Sequence, residues 1–320
     1  MIAGFAAEAE RMGYDALWTG DRALTPLQPS DIYPGCTPEQ PWPVEQARSV
    51  DPIVALTAAA TATTRVRLGM STLDAPWHTP LLLGRSLTSL DLLSQGRLDA
   101  GFGVGWMRTE YEAMGVPWAQ RGARLEEILD VLQVMWTSDP VEHKGMLWRI
   151  PPSRMDLRPF QQPGPPVLLA GFAAGALDRI ARRGEGWLPV TVVGAGPELE
   201  ILEGPWQAIK QGAEAAGRDP GALRRELRVN IAPGLPVESA VPVLRSARAL
   251  GYDGAFLDLS YNADSVDHAL EIAPRPEDCA LRGRCQSRIR SPRKLVIVPM
   301  TFWVDQRAPA SGSPKKAMSP

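Results

Sequence analysis

Between residues 2 and 272 helix-like and strand-like segments alternate, and this rhythm restricts the fold more than any single motif does. Strand-like runs begin near Ala16, Val66, Leu98, Val167, Trp187, Leu227 and Ala255, and a helical stretch follows each one. Asp51-Pro52 and Thr79-Pro80 place a cap and a first-turn proline at two of those helices. A further helix, Ile2–Met12, leads the chain with no strand before it. Alternation of this kind builds a parallel sheet covered by helices. Seven strands behind a leading helix fit a (β/α)8 barrel whose first strand is missing better than they fit a doubly wound sheet. Gly13-Tyr-Asp-Ala-Leu-Trp18 and Gly251-Tyr-Asp-Gly-Ala-Phe256 look like two copies of one helix-to-strand turn, as repeated units would give.

The rhythm breaks twice. Residues 107–165 hold one long helix, with Leu125, Ile128, Leu129, Leu132, Met135 and Trp136 at helical spacing, and a turn-rich stretch after it. This segment reads as an insertion on the C-terminal side of the strand at 98–105, where lids are found. Residues 1–273 therefore form the barrel domain, and 274–320 form a basic, Pro- and Arg-rich tail expected to be poorly ordered and to take no part in the chemistry. The tail's Leu295-Val-Ile-Val298 could stand in for the missing strand, but Pro299 argues against a central position.

The net charge of −2 hides an asymmetry, because the tail carries ten Lys/Arg against three Asp/Glu, leaving 24 against 33 in the body. An acidic body excludes nucleic acid as the main partner. No run of 18 apolar residues suggests a membrane span. The three cysteines lack metal spacing, and the expected compartment is the cytoplasm.

Chemistry concentrates on Gly96-Arg-Leu-Asp-Ala-Gly-Phe-Gly-Val-Gly-Trp106. Leu98, Ala100, Phe102 and Val104 alternate with Gly101, Gly103 and Gly105, so one face of this strand has no side chains. Either a ligand comes close there, or neighbouring strands crowd it. Trp106 stands at the strand's C-terminal mouth, the functional end of such barrels. Asp21 and Arg22 end another strand. Gly171-Phe-Ala-Ala-Gly175 links a strand to a helix, where free amides either hold a phosphate or form an ordinary turn. His78, His143 and His268 form no metal-ligand spacing, and no nucleophile elbow occurs.

Four segments in matching order, Leu17-Trp-Thr-Gly-Asp21, Leu90-Asp-Leu-Leu-Ser-Gln-Gly-Arg97, Gly103-Val-Gly-Trp-Met-Arg-Thr-Glu-Tyr-Glu-Ala-Met-Gly115 and Gly184-Glu-Gly-Trp187, resemble the luciferase-like flavin and deazaflavin oxidoreductases, above all the group using coenzyme F420. The resemblance covers roughly residues 3–273. It implies a TIM-type barrel of the bacterial luciferase-like kind and hydride or oxygen chemistry at an isoalloxazine-like ring. Coenzyme F420 is the expected cofactor and FMN the alternative, with a small-molecule substrate and homodimers common among relatives. It implies that Ser71 and Thr72 form a bulge, with an unusual peptide bond, behind the ring. It also implies that Gly103, Val104 and Gly105 approach the ring, and that Gly171, Phe172, Ala173 and Ala174 hold a phosphate. Asp21, Arg22 and Trp106 are the candidate catalytic residues, Arg22 as an anion clamp and Trp106 as a stacking wall. Each has a plainer alternative: an Asp21–Arg22 pair, surface solvation, or core packing.

Three features depart from the family pattern: the absent first strand, Arg22 where many relatives have histidine, and everything beyond the last helix. The competing readings are an FMN-dependent monooxygenase and a truncated barrel that binds without turnover.

Overall fold

The expected strands form, and they pair in parallel into a ring. The computed structural model describes residues 1–28, 31–33, 36, 38–39, 44–195, 199–232, 234–274 and 294–298. Its first half runs α1 (Ile2–Arg11), β1 (Ala16–Thr19), α2 (Pro52–Ala62), β2 (Arg67–Met70), β3 (Leu73–Asp74), α3 (Pro80–Leu93) and β4 (Leu98–Gly103). Next come α4 (Arg108–Ala113), α5 (Arg121–Thr137) and the hairpin β5 (Val141–Lys144) with β6 (Arg149–Ser153). The second half runs β7 (Val167–Leu169), α6 (Ala174–Arg183), β8 (Gly186–Trp187), β9 (Val190–Val193), α7 (Leu199–Ala215), β10 (Arg224–Ile231), α8 (Val241–Ala249), β11 (Gly254–Asp258) and α9 (Val266–Ile272). A last strand, β12 (Lys294–Val298), comes from the tail.

Neighbours around the ring are β12, β1, β2, β4, β7, β8, β10 and β11, and β11 pairs back onto β12. Ala16 and Phe256 both stand opposite Val296, so β12 occupies the gap between β1 and β11. The expectation that the tail stays out of the fold therefore fails at 294–298. The strand stops at Val298, one residue short of the proline that seemed to disqualify it. Pro299 and residues 275–293 and 300–320 lie outside the described residues. Two single strands of the sequence reading are each split: β2 from β3 at Ser71-Thr72, and β8 from β9 at Leu188-Pro189.

Residues 107–165 do two jobs. Helix α5 packs beside α3 and is tied to α6 by Arg179–Glu126 (2.9 Å) and Arg183–Asp130 (2.6 Å), so it belongs to the outer helix layer. The hairpin lies along α5, where the Leu147 and Trp148 amides donate to Glu127 (2.9 and 2.7 Å) and Arg124 sits over the Trp148 ring. It covers α5 instead of the barrel mouth.

Most of the core fills the layer between ring and helices. A smaller cluster of Ala16, Trp18, Leu168, Leu188 and Phe256 plugs the inside of the barrel. Trp18 and Phe256 stack with centroids 4.7 Å apart. Gly69 is required beside them, because a Cβ there would lie 2.4 Å from the Trp18 ring. At the opposite end from the mouth, buried Asp99 binds Arg67 (2.6 Å) and Arg224 (2.7 Å), joining β2, β4 and β10. Among the described residues no helix is long and apolar enough to cross a membrane.

Candidate active site

The C-terminal ends of the strands surround a cavity of about 280 Å³. Its lining mixes apolar groups, Val104, Trp106, Ala170, Leu188, Val190 and Val192, with polar ones, Asp21, Arg22, Asp74, Arg228, Asn230 and Tyr261. Tyr33, Gln46 and Ser49 reach it from the proline-rich β1–α2 loop, which supplies the cover that the sequence reading assigned to 107–165. Asp21, Arg22, Ser71, Thr72, Gly103, Val104, Gly105, Trp106 and Gly171 all line this cavity. Phe172, Ala173 and Ala174 do not. Phe172 is half-exposed with its edge toward Trp187, and Ala173 and Ala174 form the cap and first residue of α6.

The Ser71–Thr72 peptide is cis, between β2 and β3. Behind it the glycine strand is smooth for a packing reason. A Cβ on Gly101 would fall 1.7 Å from the Met70 carbonyl oxygen, and one on Gly103 would fall 2.3 Å from Thr72 Oγ1. Crowding by the neighbouring strand thus accounts for Gly101, whereas Gly103 and Gly105 also border the cavity.

Arg22 does not pair with Asp21. Its guanidinium donates to Glu110 Oε2 (2.6 Å), a fully buried carboxyl that also accepts from the Ala23 amide (2.9 Å). The same guanidinium lies 4.9 Å from the centre of the Trp106 ring, and Tyr33 meets that ring edge-on. A cation so neutralised and so covered is a poor anion clamp. Asp21 Oδ2 instead accepts from the Asp74 amide (3.1 Å). Burial, first of all, holds the carboxyls of Asp21, Asp74 and Glu110 above the ordinary carboxylate range, and for Asp74 the neighbouring Asp21 charge adds to it. His78 stays off the lining and is lowered by burial, against the pull of Asp21 and Asp51.

Sequence reasoning missed a second charged group. Arg228 of β10 donates to Asp258 Oδ2 (2.6 Å), to the Ser71 carbonyl (2.9 Å) and to Asn230 Oδ1 (2.9 Å). Asn230 in turn donates to the Tyr33 hydroxyl (3.2 Å), and Gln46 to that of Tyr261 (3.2 Å). Gln46 Oε1 is buried and accepts from no group among the described residues. This network fixes the Ser71–Thr72 turn and anchors the covering loop. Its signal was present: in a parallel barrel both faces of a strand are enclosed, so the alternating Glu226, Arg228 and Asn230 cannot be a solvated face.

The model of the family described as luciferase-like monooxygenase matches residues 2–271. The chain belongs to this family. An uncharacterized protein of Mycobacterium tuberculosis (strain ATCC 25618 / H37Rv) is 31% identical over 68% of this chain and 75% of its own length. The F420-dependent glucose-6-phosphate dehydrogenase of Amycolatopsis mediterranei (strain U-32) is 29% identical over 71% of this chain and 63% of its own length. Among solved structures, monooxygenase RslO1 from Streptomyces bottropensis matches with a TM-score of 0.59 and 26% identity, covering 72% of this chain and 64% of that one. The coenzyme F420 dependent tetrahydromethanopterin reductase of Methanopyrus kandleri gives a TM-score of 0.57 at 18% identity, covering 76% and 67%, which is a likeness of fold. As a luciferase-like family member the chain has its cavity at the functional end of the barrel.

Proposed function

We propose that this luciferase-like chain is an oxidoreductase that moves hydride between the ring of bound coenzyme F420 and a small organic substrate. The observation that carries the reading is a cavity at the barrel mouth whose lining combines apolar side chains, Val104, Leu188 and Val192 among them, with hydrogen-bonding ones. A flat, heteroatom-edged ring suits such a lining, and Gln46 Oε1 waits for a donor. At Ala170–Gly171 the cavity borders the exposed N-terminus of α6, which no side chain caps and where a Cβ on Gly175 would meet nothing within 4 Å. Free amides and the helix dipole there suit a phosphate-bearing tail.

When bound, a deazaflavin supplies two-electron hydride chemistry, so the protein's task is to bind, orient and keep water out. Ser71, Thr72 and Trp106 would wall the ring, and Arg228 would hold the Ser71 carbonyl in place. Tyr33 and Gln46 would close the loop side. The similarity to an F420-dependent dehydrogenase favours F420. The match to monooxygenase RslO1 supports FMN as the second reading.

The test is a titration of purified protein with oxidised F420 and with FMN, followed by tryptophan fluorescence. Saturable quenching by F420 and none by FMN is expected. Preference for FMN would move the reading to oxygen chemistry, and binding of neither by folded protein would overturn it.

A further inference from the structure

The charges lining the cavity do not balance in the usual way. Both guanidiniums carry their own buried carboxylate, Arg22 with Glu110 and Arg228 with Asp258, each at 2.6 Å. That leaves Asp21 and Asp74, two further carboxyls on the same cavity, with no ion pair among the described residues and only the more distant pull of Arg22 on both. They are neighbours. The Asp74 amide donates to Asp21 Oδ2 (3.1 Å), and the Asp74 carboxyl takes the Gly105 amide. Asp74 is only 4% exposed.

The groups facing the pair can be named element by element. From the loop after β1 come Asp21 itself and Arg22, whose guanidinium bonds Glu110 of α4 while still drawing on both carboxyls. Asp51, the cap of α2, adds negative charge. His78, after β3, is held below its ordinary value by burial and brings no positive charge at neutral pH. Tyr111 of α4 donates its hydroxyl to the Val104 carbonyl and stays protonated. Two adjacent carboxylates cannot both ionise cheaply in such surroundings. Burial raises both, the Asp21 charge raises Asp74 further, and the pull of Arg22 on each does not outweigh this.

We propose that Asp21 and Asp74 share one proton at neutral pH and exchange it with the oxygen of an uncharged alcohol or carbonyl substrate. The inference rests on the oxidoreductase reading for its substrate and on the cavity alone for the shared proton. In the oxidative direction the hydride, with its electron pair, leaves the carbinol carbon for the oxidised ring. The O–H proton passes to the carboxylate of the pair, and a carbonyl compound remains. In the reverse direction the protonated pair supplies the proton as hydride reaches the carbonyl carbon. The pair thus fills the place that the Arg22-for-histidine departure leaves open. It also sets the substrate class: a phosphorylated or carboxylated substrate would face unpaired carboxyl groups with both guanidiniums already engaged. The partnerless Gln46 Oε1 on the same cavity is an acceptor for a substrate or cofactor donor.

Infrared difference spectroscopy of the cofactor-free protein across pH, in H2O and D2O, reads the proton directly. A protonated-carboxyl band sensitive to D2O is expected at neutral pH, abolished by Asp74→Asn and titrating at lower pH in Asp21→Asn. Absence of the band, its survival in Asp74→Asn, or an unmoved midpoint in Asp21→Asn would overturn the proposal. Melting temperatures guard against a folding artefact. The Asp74→Asn protein should gain on wild type as pH rises, since a carboxyl raised in the fold stabilises it below the unfolded value near 4 and loses that contribution above. With F420 bound, cyclohexanol should exceed 4-hydroxycyclohexanecarboxylate, which keeps the free carbinol and adds a charge, in kcat/KM by about tenfold or more, a difference of ~1.4 kcal/mol. Equal use of the two would overturn the substrate class. Failure of F420 and FMN to bind would remove the oxidoreductase reading and, with it, the substrate step, while the infrared result would still decide the shared proton.

Discussion

Asp99 offers a stability test at the end of the barrel away from the cavity. Its carboxylate accepts from Arg67 Nε and Nη2, both at 2.6 Å, and from Arg224 Nη2 at 2.7 Å, with its own side chain 4% exposed. Asp99→Asn keeps the shape, removes the charge, and leaves two guanidiniums facing an amide. Breaking a buried pair costs about 3–5 kcal/mol. Arg67 and Arg224 are 21% and 28% exposed, so water recovers part of this and the low end, about 3 kcal/mol, applies. For a chain of this size that lowers Tm by roughly 4–5 °C. Burial raises the Asp99 carboxyl, but Arg224 and Arg67 outweigh it and hold it below its ordinary value. Its stabilisation is therefore present above the unfolded value near 4 and lost as pH falls through the lower folded value. Thermal melts of both proteins from neutral to acid pH should show the gap closing below about pH 4. A neutral-pH gap under about 1 kcal/mol, the size of an exposed pair, or a gap that ignores acid, would refute the reasoning. Cofactor titrations of the two proteins should coincide.

Gly103→Ala should weaken ring binding and cost about 1–3 kcal/mol, because its Cβ would lie 2.3 Å from Thr72 Oγ1. Adding Thr72→Ala should restore much of the stability, as melts of the single and double variants would show. Trp106→Ala should weaken F420 binding about fivefold, as expected for a lost stacking wall of ~1 kcal/mol, and dampen the fluorescence response. Tyr33→Phe removes the hydroxyl that accepts from Asn230 and should cost about 0.5–1.5 kcal/mol in denaturant melts.

Strand positions and barrel class were readable because apolar residues on the helix-facing side kept period two: Leu227, Val229 and Ile231 are one such row, all buried. The interleaved Arg228 and Asn230 were assigned no role, although closure of the ring turns their side of the strand toward the cavity. Asp74 was hidden for a related reason, since one unbroken strand from Val66 to Leu73 left it in a loop. The cis Ser71–Thr72 peptide instead starts a short second strand that aims it at the cavity. Asp21 and Trp106 were placed by their strand ends and Ser71 and Thr72 through resemblance, which carries positions but not pairings. It located Arg22 at the mouth and said nothing of Glu110, whose charge decides what Arg22 can do. The closing strand was set aside on the strength of Pro299, a local rule that the actual end at Val298 never tests.

The plug inside the barrel has a kinetic meaning. Trp18 and Phe256 are buried across the axis, and Leu188 belongs both to that plug and to the cavity wall. The axis below Leu188 is thus filled, and a ligand in the cavity rests on the plug. A second ligand bound above it covers it, so the deeper of the two arrives first and leaves last.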